Sequence, residues 1–170
     1  MDQKTTITVL VIIAVFAGVF ALGYFSKGGT AASVQNTAGG NGTSMLTTPK
    51  SVYDFGTISM KNGDVSYDFK VTNQTGKDIM VPTLVTSCMC TSALIVEPDG
   101  STKGPFRMPG MGYVPPADEL IKAGESRTIR VIYNPNAHGP AGVGRIDRFA
   151  ILTDSSGGTL QLEIKAVVTP

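Results

Sequence analysis

A chain of 170 residues has room for one medium-sized domain plus a smaller appendage, and two domains would be cramped. Charged residues make up 16%, and 20 Gly with 10 Pro break the chain into short pieces, which argues against a helical bundle or a coiled coil. With 14 Lys and Arg against 13 Asp and Glu, a net charge of +1 and no basic run, the chain has no footprint for tracking phosphates, so no nucleic-acid partner is expected; one His and two Cys exclude tri-imidazole chemistry and a four-cysteine zinc site.

Ile7 to Phe25 reads ITVLVIIAVFAGVFALGYF, an uncharged apolar run close to the length of about 20 residues that crosses a bilayer as helix. A single transmembrane helix is therefore expected over residues 1–25. Ala21-Leu-Gly23 has small residues at signal-peptidase spacing, but the run continues through Tyr24 and Phe25 and is long for a signal core, so retention as an anchor is expected. No cysteine lies in this segment, so lipid attachment is not expected. Lys4 and Lys27 give almost no charge asymmetry; the N-terminus is placed inside because nearly all the mass follows the segment. Ser26 to Lys50 is almost wholly Gly, Ser, Thr, Ala and Asn, a composition that cannot bury enough apolar surface to offset its ordering entropy. It reads as a flexible linker with a mean span of roughly 25–30 Å.

From about Met45 the character changes, and the domain is set at residues 51–170. Short runs of Val, Ile, Phe, Tyr and Thr alternate with Gly, Pro, Asn and Asp clusters. Strands are predicted at Ser51–Phe55, Val65–Thr72, Ile79–Thr86, Ala93–Val96, Arg127–Tyr133, Asp147–Thr153 and Leu160–Val168. In Val65-Ser-Tyr67-Asp-Phe69-Lys-Val71 and Leu160-Gln-Leu162-Glu-Ile164-Lys-Ala166 the apolar side chains fall on one face, leaving the other wet. Turns are predicted at Asn73–Gly76, Pro98–Gly100, Ala123-Gly124 and Asp154–Gly158. The fold class is all-β: an immunoglobulin-like antiparallel sandwich of about seven strands.

Five blocks in fixed order carry a family resemblance: Asp54-Phe-Gly-Thr-Ile58, Tyr67-Asp-Phe-Lys-Val-Thr-Asn73, Ser87-Cys-Met-Cys-Thr91, Ala123-Gly-Glu and Ile132-Tyr-Asn-Pro135. With them the chain after the linker resembles the bacterial domain-of-unknown-function 1573 family, itself similar to the major sperm protein-like and hydin-like group of immunoglobulin-type sandwiches. Met89 stands where that family usually has Gly, and Gly104 to Asp118 looks like an insertion. The resemblance implies this architecture and no particular reaction.

Cys88 and Cys90 are the sharpest chemical feature. Outside the cytoplasm a thiol pair is oxidised, metal-bound or buried. On a regular strand their Cα atoms would be about 6.6 Å apart, at the far edge of disulfide geometry, a limit that a local turn would relax. Three readings stand, in descending order: two small buried hydrophobes or a structural disulfide, a soft-metal site, and thiol exchange. Thiolates and thioethers are soft ligands, so Met108 and Met111 on the irregular Gly104–Pro116 loop, with His138, would complete a Cu(I) site. The plainer readings make the methionines gap fillers and His138 a solvated turn residue. Met89 should face the other way on a strand and is left out. Thiol exchange ranks last because a low-pKa cysteine at a helix start is not expected in an all-β body.

Gly139–Arg145 lacks the Lys-Ser/Thr of a phosphate loop and reads as a turn; Arg145, Asp147 and Arg148 read as a solvated charged edge. Asp154-Ser-Ser-Gly lacks the spaced carboxylates of a calcium loop and reads as a hairpin turn. His138 is the sole imidazole, no serine nucleophile elbow accompanies it, and nothing in the spacing of Asp99, Asp118, Glu119 and Glu125 argues for paired acids, so no enzyme is expected. The leading expectation is a membrane-anchored, single-pass protein whose C-terminal domain is an extracytoplasmic binding or structural module, with an envelope protein as partner. The alternative is a Cu(I)-handling protein using Cys88, Cys90, Met108, Met111 and His138.

Overall fold

The computed structural model describes residues 42–170. The expected membrane segment and most of the expected linker lie outside the described residues. Among the described residues no helix is long and apolar enough to cross a membrane.

Eleven strands follow in chain order: β1 (Leu46–Thr47), β2 (Val52–Ser59), β3 (Val65–Asn73), β4 (Ile79–Val81), β5 (Thr83–Thr86), β6 (Thr91–Val96), β7 (Thr102–Phe106), β8 (Glu119–Ile121), β9 (Ser126–Tyr133), β10 (Gly144–Thr153) and β11 (Thr159–Thr169). One sheet has the order β1-β3-β9-β6-β7, the second β2-β11-β10-β5, and β4 with β8 makes a short separate ribbon. The two large sheets close on one apolar core. Phe69, Val71, Ala93, Ile95, Ile129, Val131 and Tyr133 come from the first sheet, and Leu84, Ala150, Leu152, Leu162, Ile164, Ala166 and Val168 from the second. Alternation explains the membership: in β9 and β11 every second residue is buried, as expected for strands with one face toward a core. Burying each of the large side chains contributes roughly 1.5–3 kcal/mol.

The strand count and pairing differ from expectation in three ways. First, β2 pairs with β11 in parallel, from Val52 opposite Glu163 to Ser59 opposite Thr169, so the sandwich is not wholly antiparallel. The chain turns at Met60–Asn62 and crosses to the other sheet as β3, which a hairpin could not do. Second, the run Ile79–Thr86 is two strands. Pro82 has no N–H to continue a ladder, while its carbonyl accepts from Ala117 at 2.9 Å, and the chain leaves the β4–β8 ribbon for the second sheet. Third, β1, β7 and β8 are additional. β7 carries Gly104 and Pro105, and β8 is three residues long, so neither has a period that a sequence window can detect.

The sheet also starts earlier than residue 51. Leu46 is buried and pairs with Asn73, and the Ser44 hydroxyl donates to Asp154 Oδ2 at 2.5 Å. Asp154 organises the β10–β11 turn: it also accepts from the Ser156 amide (2.9 Å), the Ser156 hydroxyl (2.5 Å) and the Gly158 amide (3.0 Å). Burial alone would raise the Asp154 carboxyl. The Ser156 and Ser44 hydroxyls and the two amides outweigh it and hold the group below its ordinary value. A side chain on Gly158 would meet the Ser44 Cα at 2.8 Å, which fixes that glycine.

A second polar cluster sits where β7, β8 and β9 meet. Glu119, 3% exposed along its side chain, receives Lys103 Nζ and Arg127 Nε, the latter at 2.6 Å, and Arg127 also lies 3.1 Å from Glu97. Burial would raise the Glu119 carboxyl, but its bonds to Lys103 and Arg127 prevail and keep it below its ordinary value. Glu119 thus meets two cations in space and serves to bind the ribbon to the first sheet.

Candidate functional site

Ser87-Cys88-Met89-Cys90 is a turn joining β5 to β6, not part of a strand. Its closing bond runs from the Thr91 amide to the Cys88 carbonyl at 3.1 Å. Buried Thr86 locks the turn from inside, its hydroxyl donating to the Thr91 carbonyl at 2.9 Å and lying 3.3 Å from the Cys88 carbonyl. Ser87 fastens it to β10: its amide donates to the Phe149 carbonyl at 3.0 Å and its hydroxyl accepts from the Phe149 amide at 2.9 Å. The Asn134 amide donates to the Cys90 carbonyl at 2.8 Å from the far side. Each polar residue of the Ser-Cys-Met-Cys-Thr block therefore has a structural task, and together they hold the two sulfurs at a fixed corner of the sandwich.

The turn brings the cysteine Cα atoms to 5.2 Å, and the two sulfurs are bonded as a disulfide. That separation falls in the ordinary range, whereas the strand spacing used in the sequence reading lies at its edge. A loop of three residues constrains the unfolded chain little. The loop-entropy relation gives roughly 1.5 kcal/mol, about half of what a 15-residue loop gives. Thermodynamic stapling is thus a weak reason for this bond.

The two sulfurs have unlike surroundings. Cys90 is 2% exposed and its Sγ accepts from Arg148 Nε at 3.3 Å, with the Thr91 hydroxyl at 3.6 Å. Cys88 is half-buried, accepts from the Cys90 amide at 3.3 Å and lies 3.2 Å from His138 Nε2. His138 is exposed and sits at the start of the 3-10 turn Gly139–Gly142. Asn134 and Asn136 shape the loop that presents it: Asn134 Oδ1 accepts from the Asn136 amide at 2.8 Å, and Asn136 Nδ2 donates to the Met60 carbonyl at 2.6 Å. Cys88, Cys90 and His138 bring their ligand atoms within 4.8 Å of one another.

Arg148 is the residue that the sequence reading misses. Read as part of a solvated edge, it is half-buried on β10 and turned onto Cys90, while its neighbour Arg145 stays 73% exposed along its side chain. No spacing rule links residues 58 positions apart; only the β5–β10 pairing does. Met108 is half-buried and Met111 is 52% exposed on the irregular stretch after β7. Its first residue, Arg107, accepts from the Thr86 amide at 3.3 Å, so the loop departs from beside the cysteine turn. Met89, left out of the site as strand-facing, stands 49% exposed at the tip of the turn and lines, with Cys90, Arg107 and Asn134, a cleft of about 140 Å³. The larger cleft of about 560 Å³, among Met45, Lys77, Ile79 and Ser155, shares no lining residue with this corner.

No family model and no curated protein matches the sequence. Among solved structures, a protein of unknown function from Porphyromonas gingivalis W83 is similar, with a TM-score of 0.53 at 12% identity over 74% of this chain and 47% of that one. The chain therefore spans less than half of that protein. The ASH/PapD-like domain of human CEP192 matches with a TM-score of 0.46 at 12% identity, over 75% of this chain and 87% of that one. The secreted serine protease VesC from Vibrio cholerae matches with a TM-score of 0.46 at 15% identity, over 74% and 24%. At such identities the first similarity supports the β-sandwich fold and nothing about activity.

Proposed function

We propose that the protein is a membrane-tethered, non-enzymatic binding module of the cell envelope, carried outside the cytoplasm by residues 7–25 and a flexible linker, and a member of the domain-of-unknown-function 1573 family. The observation that carries this reading is the way polar chemistry is used up. Among the described residues no buried side-chain nitrogen or oxygen lacks a hydrogen-bond partner, so the buried polar groups are accounted for by holding the fold together. The Ser-Cys-Met-Cys-Thr block forms one self-bonded turn, and Asp54 Oδ1 accepts from the Gly56 amide at 2.8 Å within the Asp-Phe-Gly block, so the polar residues of both blocks that carry the resemblance are engaged in local structure. The test is protease added to spheroplasts together with alkaline extraction of membranes. The sandwich should be cleaved from outside and the full-length chain should stay with the lipid. Protection of the sandwich, or its release by alkali, would refute the tethered reading.

A second reading rests on the convergence of Cys88, Cys90 and His138. Once reduced, the three would bind Cu(I), with Met108 and Met111 as further soft donors from the adjoining loop. Charge favours a monovalent ion: two thiolates and Cu(I) sum to −1, which Arg148 beside Cys90 balances, whereas a divalent ion would leave Arg148 uncompensated. Anaerobic titration of the reduced full-length chain against a Cu(I) chelator tests it. Binding unchanged in Cys88→Ser and Cys90→Ser would remove the copper reading.

A further inference from the structure

We propose that Cys88–Cys90 is an exchange-active disulfide that accepts two electrons from a dithiol, with Cys88 as the sulfur attacked and Cys90 as the sulfur released. The partner class is a protein or small molecule carrying two neighbouring thiols outside the cytoplasm. The proposal goes beyond the binding reading and needs no metal.

The asymmetry of the pair assigns the roles. Attack on a disulfide requires access to one sulfur along the bond, and of the two only Cys88 is appreciably exposed, on a turn whose tip, Met89, projects into solvent. The sulfur that leaves must carry a negative charge, and thiols that better tolerate that charge leave faster. Cys90 has the charged partner for this, Arg148 Nε at 3.3 Å, held in a half-buried setting where solvent screens it less than at an open surface. A guanidinium reaching in from β10 thus replaces the helix start whose absence counts against thiol exchange in an all-β fold.

The steps balance as follows. A thiolate of the partner forms a bond to Cys88 Sγ, the Cys88–Cys90 bond breaks, and its electron pair stays on Cys90 beside Arg148. The partner's second thiolate then attacks its own sulfur in the mixed disulfide, and the electron pair leaves on Cys88. That sulfur takes up a proton through His138, 3.2 Å away, or from water. The partner dithiol becomes a disulfide, and this chain gains two electrons. Each partner thiol gives up one proton to solvent.

The test uses the full-length oxidised chain with a chelator present, so that metal plays no part. A short pulse of reduced glutathione is quenched with acid, free thiols are alkylated and the adducts are mapped by mass. The expected result is glutathione on Cys88 and the alkyl group on Cys90. Glutathione on Cys90, an even split, or no opening until the protein is unfolded would overturn the proposal. Arg148→Met should slow opening roughly tenfold, with Arg148→Lys restoring most of the rate, because the charge beside the leaving sulfur sets how readily it departs. Equal rates in all three proteins would also overturn it. Failure here leaves the tethering readout and the copper titration of reduced protein untouched, so the readings are separable.

Discussion

His138 Nε2 lies 3.2 Å from Cys88 Sγ, although fifty residues of chain separate them. The imidazole arrives from the loop after β9, the disulfide sulfur from the turn after β5, and the two meet because β6 and β9 pair at Thr91 opposite Tyr133. A register slip of one residue would turn every buried side chain of these strands outward, so the meeting point is as firmly specified as the core.

If this contact serves a soft metal, replacing the ring should cost less than replacing a thiolate. His138→Ala is expected to weaken Cu(I) binding by roughly tenfold, a scale of about 1.4 kcal/mol, and the pair Met108→Leu with Met111→Leu by less. Cys88→Ser should abolish competition with the chelator. Titrations of the reduced variants rank them directly.

The Glu119 cluster is a stability element. Removing one partner of a buried ion pair strands the others, so Glu119→Ala should destabilise by about 3 kcal/mol, read from urea unfolding of the full-length chain. Lys103→Ala should cost less, because Lys103 is 45% exposed and water can replace it.

Acid should unfold the sandwich at the two buried carboxylates. Glu119 and Asp154 are both held below their ordinary values in the folded state. Their stabilisation is complete above the ordinary carboxylate value, near pH 4, and drains away as pH falls through the lower folded values. The thermal midpoint should therefore drop steeply beneath about pH 4, and Asp154→Asn should flatten that drop while lowering the midpoint at neutral pH.

Gly158→Ala should disturb the same turn by a different cause. The new methyl group would overlap the Ser44 backbone and the Asp154 carboxylate. A loss of about 1–3 kcal/mol is expected, accompanied by faster amide exchange at Ser44 and Leu46, whose ordering depends on that junction.

Six of the seven predicted runs fall on single strands, and alternation, an intrinsic signal of period two, makes several of them legible, as in Phe69 and Val71 or Leu162, Ile164 and Ala166. β7 was hidden by Gly104 and Pro105, and the break at Pro82 was readable in hindsight from its missing donor. The parallel pairing of β2 with β11 joins the two ends of the domain, and no local pattern encodes such a contact. The same limit applies at the site. The two cysteines announce themselves by spacing, whereas Arg148 resembles any charged strand residue until β10 is laid beside the cysteine turn.

The intact mass of the protein taken from its own membrane, alkylated with and without prior reduction, bears on tether and sulfur chemistry together. A chain that still carries residues 1–25, takes up no alkyl group before reduction and two after it, is the expected result. A mature start near Tyr24, or two alkyl groups without reduction, would contradict it.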